Sequence, residues 1–220
     1  YLDNLNSKQP FDSEIVNKMM PVDLYIGGAE HATMHLLYAR FITKVLRDLK
    51  FVRFDEPFTK LYHQGTITKD GAKMSKSRGN TVSPDKFINE YGSDVFRCYL
   101  MFMGPFDEGG DWNDKGITGI SKFLNKIFTI LSKEEGESAK EDTKVIHKTL
   151  KSVTQDLDNF KFNTAISKMM EMANSLVSSN ALSKADKSII NIMISPFSPH
   201  LGEEIWNSIL NETDSIFNAN

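Results

Sequence analysis

The chain has 220 residues, of which 40% are hydrophobic and 25% charged, and a formal net charge of -3. That is the make-up of an ordinary globular chain long enough for one large or two modest domains, which excludes a disordered tail. No stretch approaches the roughly 20 apolar residues that a bilayer span requires, which argues against a membrane protein.

The charge is evenly spread, with 15 basic and 16 acidic residues before Gly116 and 11 and 13 after it. Neither half is a basic tail, so a polyanion would have to meet a local cluster, the densest being Lys69, Lys73, Lys76 and Arg78. The single cysteine, Cys98, supplies neither an internal disulfide nor a zinc site, which points to a reduced compartment such as the cytoplasm. The chain opens at Tyr1 in mid-pattern, as expected of a piece of something longer.

In chain order, Val22 to Ile26 alternates apolar and polar residues and stops at Gly27-Gly28, which predicts a short strand and a tight turn. Ala29 to Leu49 repeats Leu37, Phe41 and Val45 every four residues, a helix with a broad apolar face and a Lys44–Asp48 pair outside. Leu61 to Thr68 reads as a second strand, completing a parallel strand–helix–strand crossover. Lys69 to Val82 has no apolar period and reads as a loop. Ser83-Pro84 then starts a helix that ends at Gly92, and Ser93 starts another carrying Val95, Phe96, Tyr99, Leu100 and Phe102 into the core. After Trp112 five helical patterns follow: Ile117–Leu131, Thr143–Leu157, Asn163–Val177, Ser183–Ile194 and Pro199–Leu210. Short connections make them an antiparallel bundle, with Ser183 and Asp186 spaced as a capping box and 134–142 a solvated acidic loop. The fold class expected is α/β, half of a Rossmann-type nucleotide-binding domain with parallel strands, followed by an all-α bundle. The boundary is set at 112/113.

The chemistry concentrates in Lys73-Met74-Ser75-Lys76-Ser77-Arg78-Gly79-Asn80. Two ammonium groups and two hydroxyls on a glycine-permitted loop can wrap a polyphosphate and neutralise charge building on a leaving group. Closing only around the transition state would make such a loop catalytic rather than merely adhesive.

Lys-Met-Ser-Lys-Ser is the second signature of class I aminoacyl-tRNA synthetases, and all five positions match. Residues 21–32, 35–41, 101–105 and 195–206 resemble leucyl-tRNA synthetases, so the likeness covers nearly the whole chain. The resemblance implies that residues 1–112 are the second half of the catalytic domain and 113–220 the helical anticodon-binding domain. The full enzyme would activate leucine with ATP, bound with Mg²⁺, and pass it to tRNA(Leu). It further implies that Lys76, supported by Lys73, serves the phosphates, and that Met74, Ser75 and Ser77 line the adenylate with them. Glu30 would hold the ribose hydroxyls, with Gly28 allowing close backbone approach and His31 beside the nucleotide. Gln64, Gly65 and Ile67 would present backbone to adenine, and Tyr25 and His35 would shape the leucine pocket.

A metal pair at His31 and His35 lacks a third ligand, and no resident metal is expected. The chain departs from the family in having no His-x-Gly-His signature: its histidines are His31, His35, His63, His147 and His200. The missing N-terminal catalytic half is therefore an expected partner, and the 220 residues alone are expected to be inactive. Lys73 follows Gly65 by only eight positions, leaving no room for the domain that some bacterial leucyl enzymes insert there. Two other readings stay open: a free-standing tRNA-binding module, and a methionyl or valyl synthetase.

Overall fold

The computed structural model describes residues 1–219, and the chain divides into two compact units after Gly65.

The first unit opens with α1 (Ser13–Met19), whose Asp12 side chain accepts hydrogen bonds from the amides of Glu14 (2.8 Å) and Ile15 (3.2 Å). This is the N-cap chemistry that short polar side chains provide. Strand β1 (Tyr25–Ile26) pairs in parallel with β2 (Leu61–Tyr62), Tyr25 opposite Leu61. Between them runs α2 (His35–Asp48), so the expected crossover is present. The expected helix from Ala29 is not continuous. Ala29–Thr33 forms a 3₁₀ turn, and Met34 leaves the helical basin at ψ -107° before the α-helix starts.

The apolar face of α2 also departs from expectation. Only Leu36 and Thr43 are buried, whereas Leu37, Tyr38, Phe41 and Ile42 are more than half exposed. Lys44 pairs with Glu56 at 3.2 Å instead of Asp48, because Arg47 already occupies Asp48 and Glu56 faces the helix from the returning chain.

The residues 61–68, expected as one strand, prove to be two, one in each unit. The chain breaks at 63–65, and β3 (Thr66–Lys69) belongs to a different sheet from β2. It forms a hairpin with β4 (Ala72–Lys73) through Asp70 and Gly71, both at positive φ as a primed hairpin turn requires. It also pairs in parallel with β5 (Gly109–Trp112). Only glycine fits at 109: φ is +85°, and a Cβ there would lie 2.3 Å from the Thr66 carbonyl oxygen.

Helix α3 (Pro84–Tyr91) starts after Ser83, whose hydroxyl turns to the Asp85 carboxylate (3.4 Å) and caps no helix amide. It ends at Gly92, which is also the N-cap of α4 (Ser93–Phe102), so Ser93 is that helix's first residue and not its cap. The bundle is α5 (Ile117–Leu131), α6 (Lys140–Asp158), α7 (Phe162–Leu176), α8 (Lys184–Ile194) and α9 (Pro199–Ser208). One apolar core runs from Phe87 and Val95 through Leu131 and Leu176 to Ile205, with Trp112 packed edge-on against Phe87 and Tyr99. The Ser183 hydroxyl accepts from the Asp186 amide at 3.2 Å, as the capping pattern predicts. Among the described residues no helix is long and apolar enough to cross a membrane.

Candidate functional site

The expected site residues fall into two groups, one in each compact unit. In the first unit, β1 delivers the chain into Gly27-Gly28, both buried. A Cβ on Gly28 would sit 2.3 Å from the Glu30 carboxylate, so that exposed carboxylate folds back over bare backbone that only glycine offers. The turn is fixed from the end of β2 and the residue after it: His63 Nδ1 lies 2.8 Å from the Gly27 carbonyl oxygen, and the Gly27 amide donates to the Tyr62 carbonyl at 3.2 Å.

Beyond the turn, His31 stands edge-on to His35 at 6.2 Å between ring centres, with its buried Nδ1 lacking a hydrogen-bond partner. His35 meets Tyr25 at 5.5 Å, and both meet Phe58, which stands 4.5 Å from Tyr25. The two residues expected to shape a side-chain pocket are therefore together, and Phe58 joins them. No periodicity marks Phe58; only pairing across the β1–β2 crossover brings it there. Gln64 and Gly65 follow β2 after His63, Gln64 exposed and Gly65 half-buried. Among the described residues no group of three or more His, Cys, Asp or Glu could hold a metal ion.

In the second unit, Lys73 ends β4 and the chain then closes a small ring. The Asn80 side chain accepts from the Ser75 amide at 2.8 Å and donates to the Lys73 carbonyl at 3.3 Å. Within the ring the Ser75 and Ser77 hydroxyls are 2.8 Å apart, and Lys76–Arg78 makes one 3₁₀ turn that ends at Gly79 in the left-handed region. Met74 and Ile67 are partly buried against the bundle core, which roots the ring. Lys73, Lys76 and Arg78 are exposed and form no ion pair among the described residues.

The adjoining hairpin is tied down by Asp111, which accepts from the Thr68 hydroxyl (2.6 Å) and the Gly71 amide (3.0 Å). Those bonds, led by Thr68, hold its carboxyl below the usual carboxylate range. Three free cations at the rim of an anchored loop suit a multiply charged anion such as a polyphosphate.

A further feature is hidden in the sequence. Lys140, Lys144, Lys148 and Lys151 on α6 are all exposed. At 100° per residue they fall within an arc of about 80°, opposite the buried Ile146, Thr149 and Val153. Lys144 is paired with Glu141 at 3.4 Å, and Asp158 shares the arc at its far end. The signal is present as lysines at i, i+4, i+8 and i+11, masked by the balanced charge of the whole.

A family model described as tRNA synthetases class I (I, L, M and V) matches residues 5–113, and one for the anticodon-binding domain of tRNA ligase matches 143–220. Leucine–tRNA ligase of Caldanaerobacter subterraneus subsp. tengcongensis is 48% identical across 99% of this chain, and that of Clostridium beijerinckii is 49% identical across the same share. The chain belongs to the class I tRNA synthetases. It spans 29% of the length of each of those two relatives. Among solved structures of the family, a LeuRS of Agrobacterium radiobacter K84 (agnB2), in a ternary complex with tRNA and LeuAMS, matches at 32% identity and a TM-score of 0.79. It covers 96% of this chain and 30% of its own. Mycobacterium tuberculosis methionyl-tRNA synthetase bound by methionyl-adenylate shares the fold at 22% identity and a TM-score of 0.66, over 91% of this chain and 46% of its own.

Proposed function

We propose that this chain is the part of a leucine–tRNA ligase that carries the phosphate-handling loop and the helical tRNA-contacting domain, residues 1–112 contributing to catalysis and 113–220 forming the helical part. What supports this most is 48% identity to leucine–tRNA ligases along 99% of the chain, including an intact Lys-Met-Ser-Lys-Ser ring. A leucine carboxylate would attack the α-phosphate of ATP and release pyrophosphate, and the leucyl group would then pass to the terminal ribose of tRNA(Leu).

In that reaction the Lys76 ammonium, with Lys73 beside it, stabilises charge developing on the departing pyrophosphate. Ser75 and Ser77 donate to phosphate oxygens, and Met74 roots the loop. Glu30 accepts from the ribose hydroxyls, with Gly28 leaving room and His31 alongside. Gln64, Gly65 and Ile67 present backbone to adenine, and Tyr25 and His35, with Phe58, bound the leucine side chain. The loop offers ammonium and hydroxyl donors that fit phosphate oxygens and not a cation, so Mg²⁺ belongs with the ATP, whose charge it would neutralise. Cys98, a free buried thiol, suits a reducing setting such as the cytoplasm.

On the bundle, the α6 lysines meet the tRNA backbone. Every lysine–phosphate pairing removed should lower the slope of log affinity against log salt by nearly one. Replacing Lys140, Lys148 and Lys151 with Gln should therefore flatten that slope by about two to three while leaving leucine activation intact. An unchanged slope would remove α6 from the interface.

The catalytic reading is tested in the product of the complete gene. Lys76→Ala should reduce leucine-dependent pyrophosphate exchange about a hundredfold while leaving the leucine KM within about threefold. Parent-like exchange by that variant would overturn the reading. The 220 residues alone, lacking the His-x-Gly-His signature, should show no exchange. If they bind tRNA with steep salt dependence but no ATP, a stand-alone binding module is the better description.

A further inference from the structure

We infer that Asn80 is a positioning residue for the lysine loop, acting through the backbone on either side of Lys76. The inference rests on the catalytic reading given above. Asn80 stands outside the five-residue signature, yet its side-chain amide makes both of the bonds that close the ring. Its Oδ1 accepts from the Ser75 amide at 2.8 Å and its Nδ2 donates to the Lys73 carbonyl at 3.3 Å. The side chain thus stands in for a peptide group of a neighbouring strand, bonding an N–H and a C=O two residues apart along Lys73–Ser75.

The geometry that brings Asn80 back to this position is also specified. The 3₁₀ turn Lys76–Arg78 is closed by a bond from the Gly79 amide to the Lys76 carbonyl at 3.2 Å, and Gly79 sits at φ +67°, where a side chain would be strained. Lys76 is thereby held at the head of a ring of eight residues whose ends are joined. Without the clamp the loop between β4 and α3 would sample many conformations, and each productive encounter with phosphate would first have to order it. Asp111 cannot replace the clamp, since its bonds reach Thr68 and Gly71 on the hairpin and stop short of the ring.

The clamp predicts a pattern that general destabilisation does not. In the full-length protein, Asn80→Ala should lower the kcat of leucine-dependent pyrophosphate exchange at least tenfold, change the leucine KM by less than threefold, and leave the unfolding midpoint within about 2 °C of the parent. Asn80→Asp keeps the acceptor for Ser75 and loses the donor to Lys73, so its kcat should fall between the two. In the 220-residue chain, tryptic cleavage after Lys73, Lys76 and Arg78 should speed up at least tenfold in Asn80→Ala relative to cleavage at other sites.

Parent-like kcat together with parent-like cleavage in Asn80→Ala would overturn the inference, as would a kcat loss matched by a collapse of the unfolding midpoint. If Asn80→Ala opens the loop to trypsin while Lys76→Ala keeps full activity, the clamp stands and the catalytic reading falls.

Discussion

The two compact units handle apolar surface in opposite ways. Among the described residues, those from Thr66 onward contribute twenty-eight buried hydrophobic side chains, and the first sixty-five contribute three: Val16, Leu36 and Val52. Yet the first unit is not poor in such residues, since Met34, Leu37, Tyr38, Phe41, Ile42 and Leu49 are displayed along α2, alongside Ile26 and Leu61 on the paired strands. The bundle satisfies its own hydrophobic pattern, whereas the crossover unit carries a pattern suited to a cover. In the proposed reading that cover is the other half of the catalytic domain. The bulk of the buried apolar surface thus lies in the unit that roots the lysine loop, and Tyr25, Glu30 and His31 ride on a thinly supported scaffold.

The largest expected effect tests that contrast directly. Leu131→Ala, at a fully buried position of α5, should cost about 2–5 kcal/mol, whereas Phe41→Ser on α2 should stay within about 0.5 kcal/mol in urea unfolding. A comparable loss from Phe41→Ser would mean that the α2 face is covered, and the comparison would break.

Cys98 sharpens it further. Its thiol is pushed up to about 12, chiefly by burial and secondarily by the charge of Asp94, so the reactive thiolate is suppressed in the folded state. Alkylation at pH 8 should be at least about a hundredfold slower than for a free thiol and should accelerate in Leu131→Ala but not in Phe41→Ser. Rapid labelling of the parent chain would show that the second unit opens locally without unfolding.

A smaller effect is expected at the α8 cap, where Ser183→Ala removes the acceptor for the Asp186 amide and should cost about 1 kcal/mol, read as a shift in the unfolding midpoint. Smallest is the exposed cluster at Glu56, whose carboxyl is lowered from 4.5 to about 2 by hydrogen bonds from Arg40 and then Lys44. A depressed carboxyl stabilises fully above its unfolded value and loses that contribution as pH falls through its folded one. The tie between α2 and Glu56 should therefore weaken between about pH 4.5 and 2 and fade in high salt, as an NMR titration of Glu56 would show.

How much could be read in advance follows the same division. The ends of α5 match the expectation of Ile117–Leu131 because the helix meets its partners at regular spacing and every large apolar residue except Phe128 finds the core. The same periodicity misleads in α2, where the pattern is real and the burial is not, since a repeat says which residues share a face and not what lies opposite. Strand β5 gives no signal because Gly109-Gly110 has turn composition and its pairing to β3 is set by a residue some forty positions away. At the site, Lys73, Lys76 and Glu30 are legible by type and spacing. The partners that hold the loop, Asn80 and Asp111, are not, because each acts through bonds to backbone that only a folded chain reveals.

The open face of α2 also has a consequence for the chain in solution. Leu37, Tyr38, Phe41 and Ile42 form an apolar stripe that water solvates poorly. Sulfate strengthens the burial of such surface, so the 220-residue chain prepared by itself should come out of solution at lower sulfate than the same chain with Phe41→Ser.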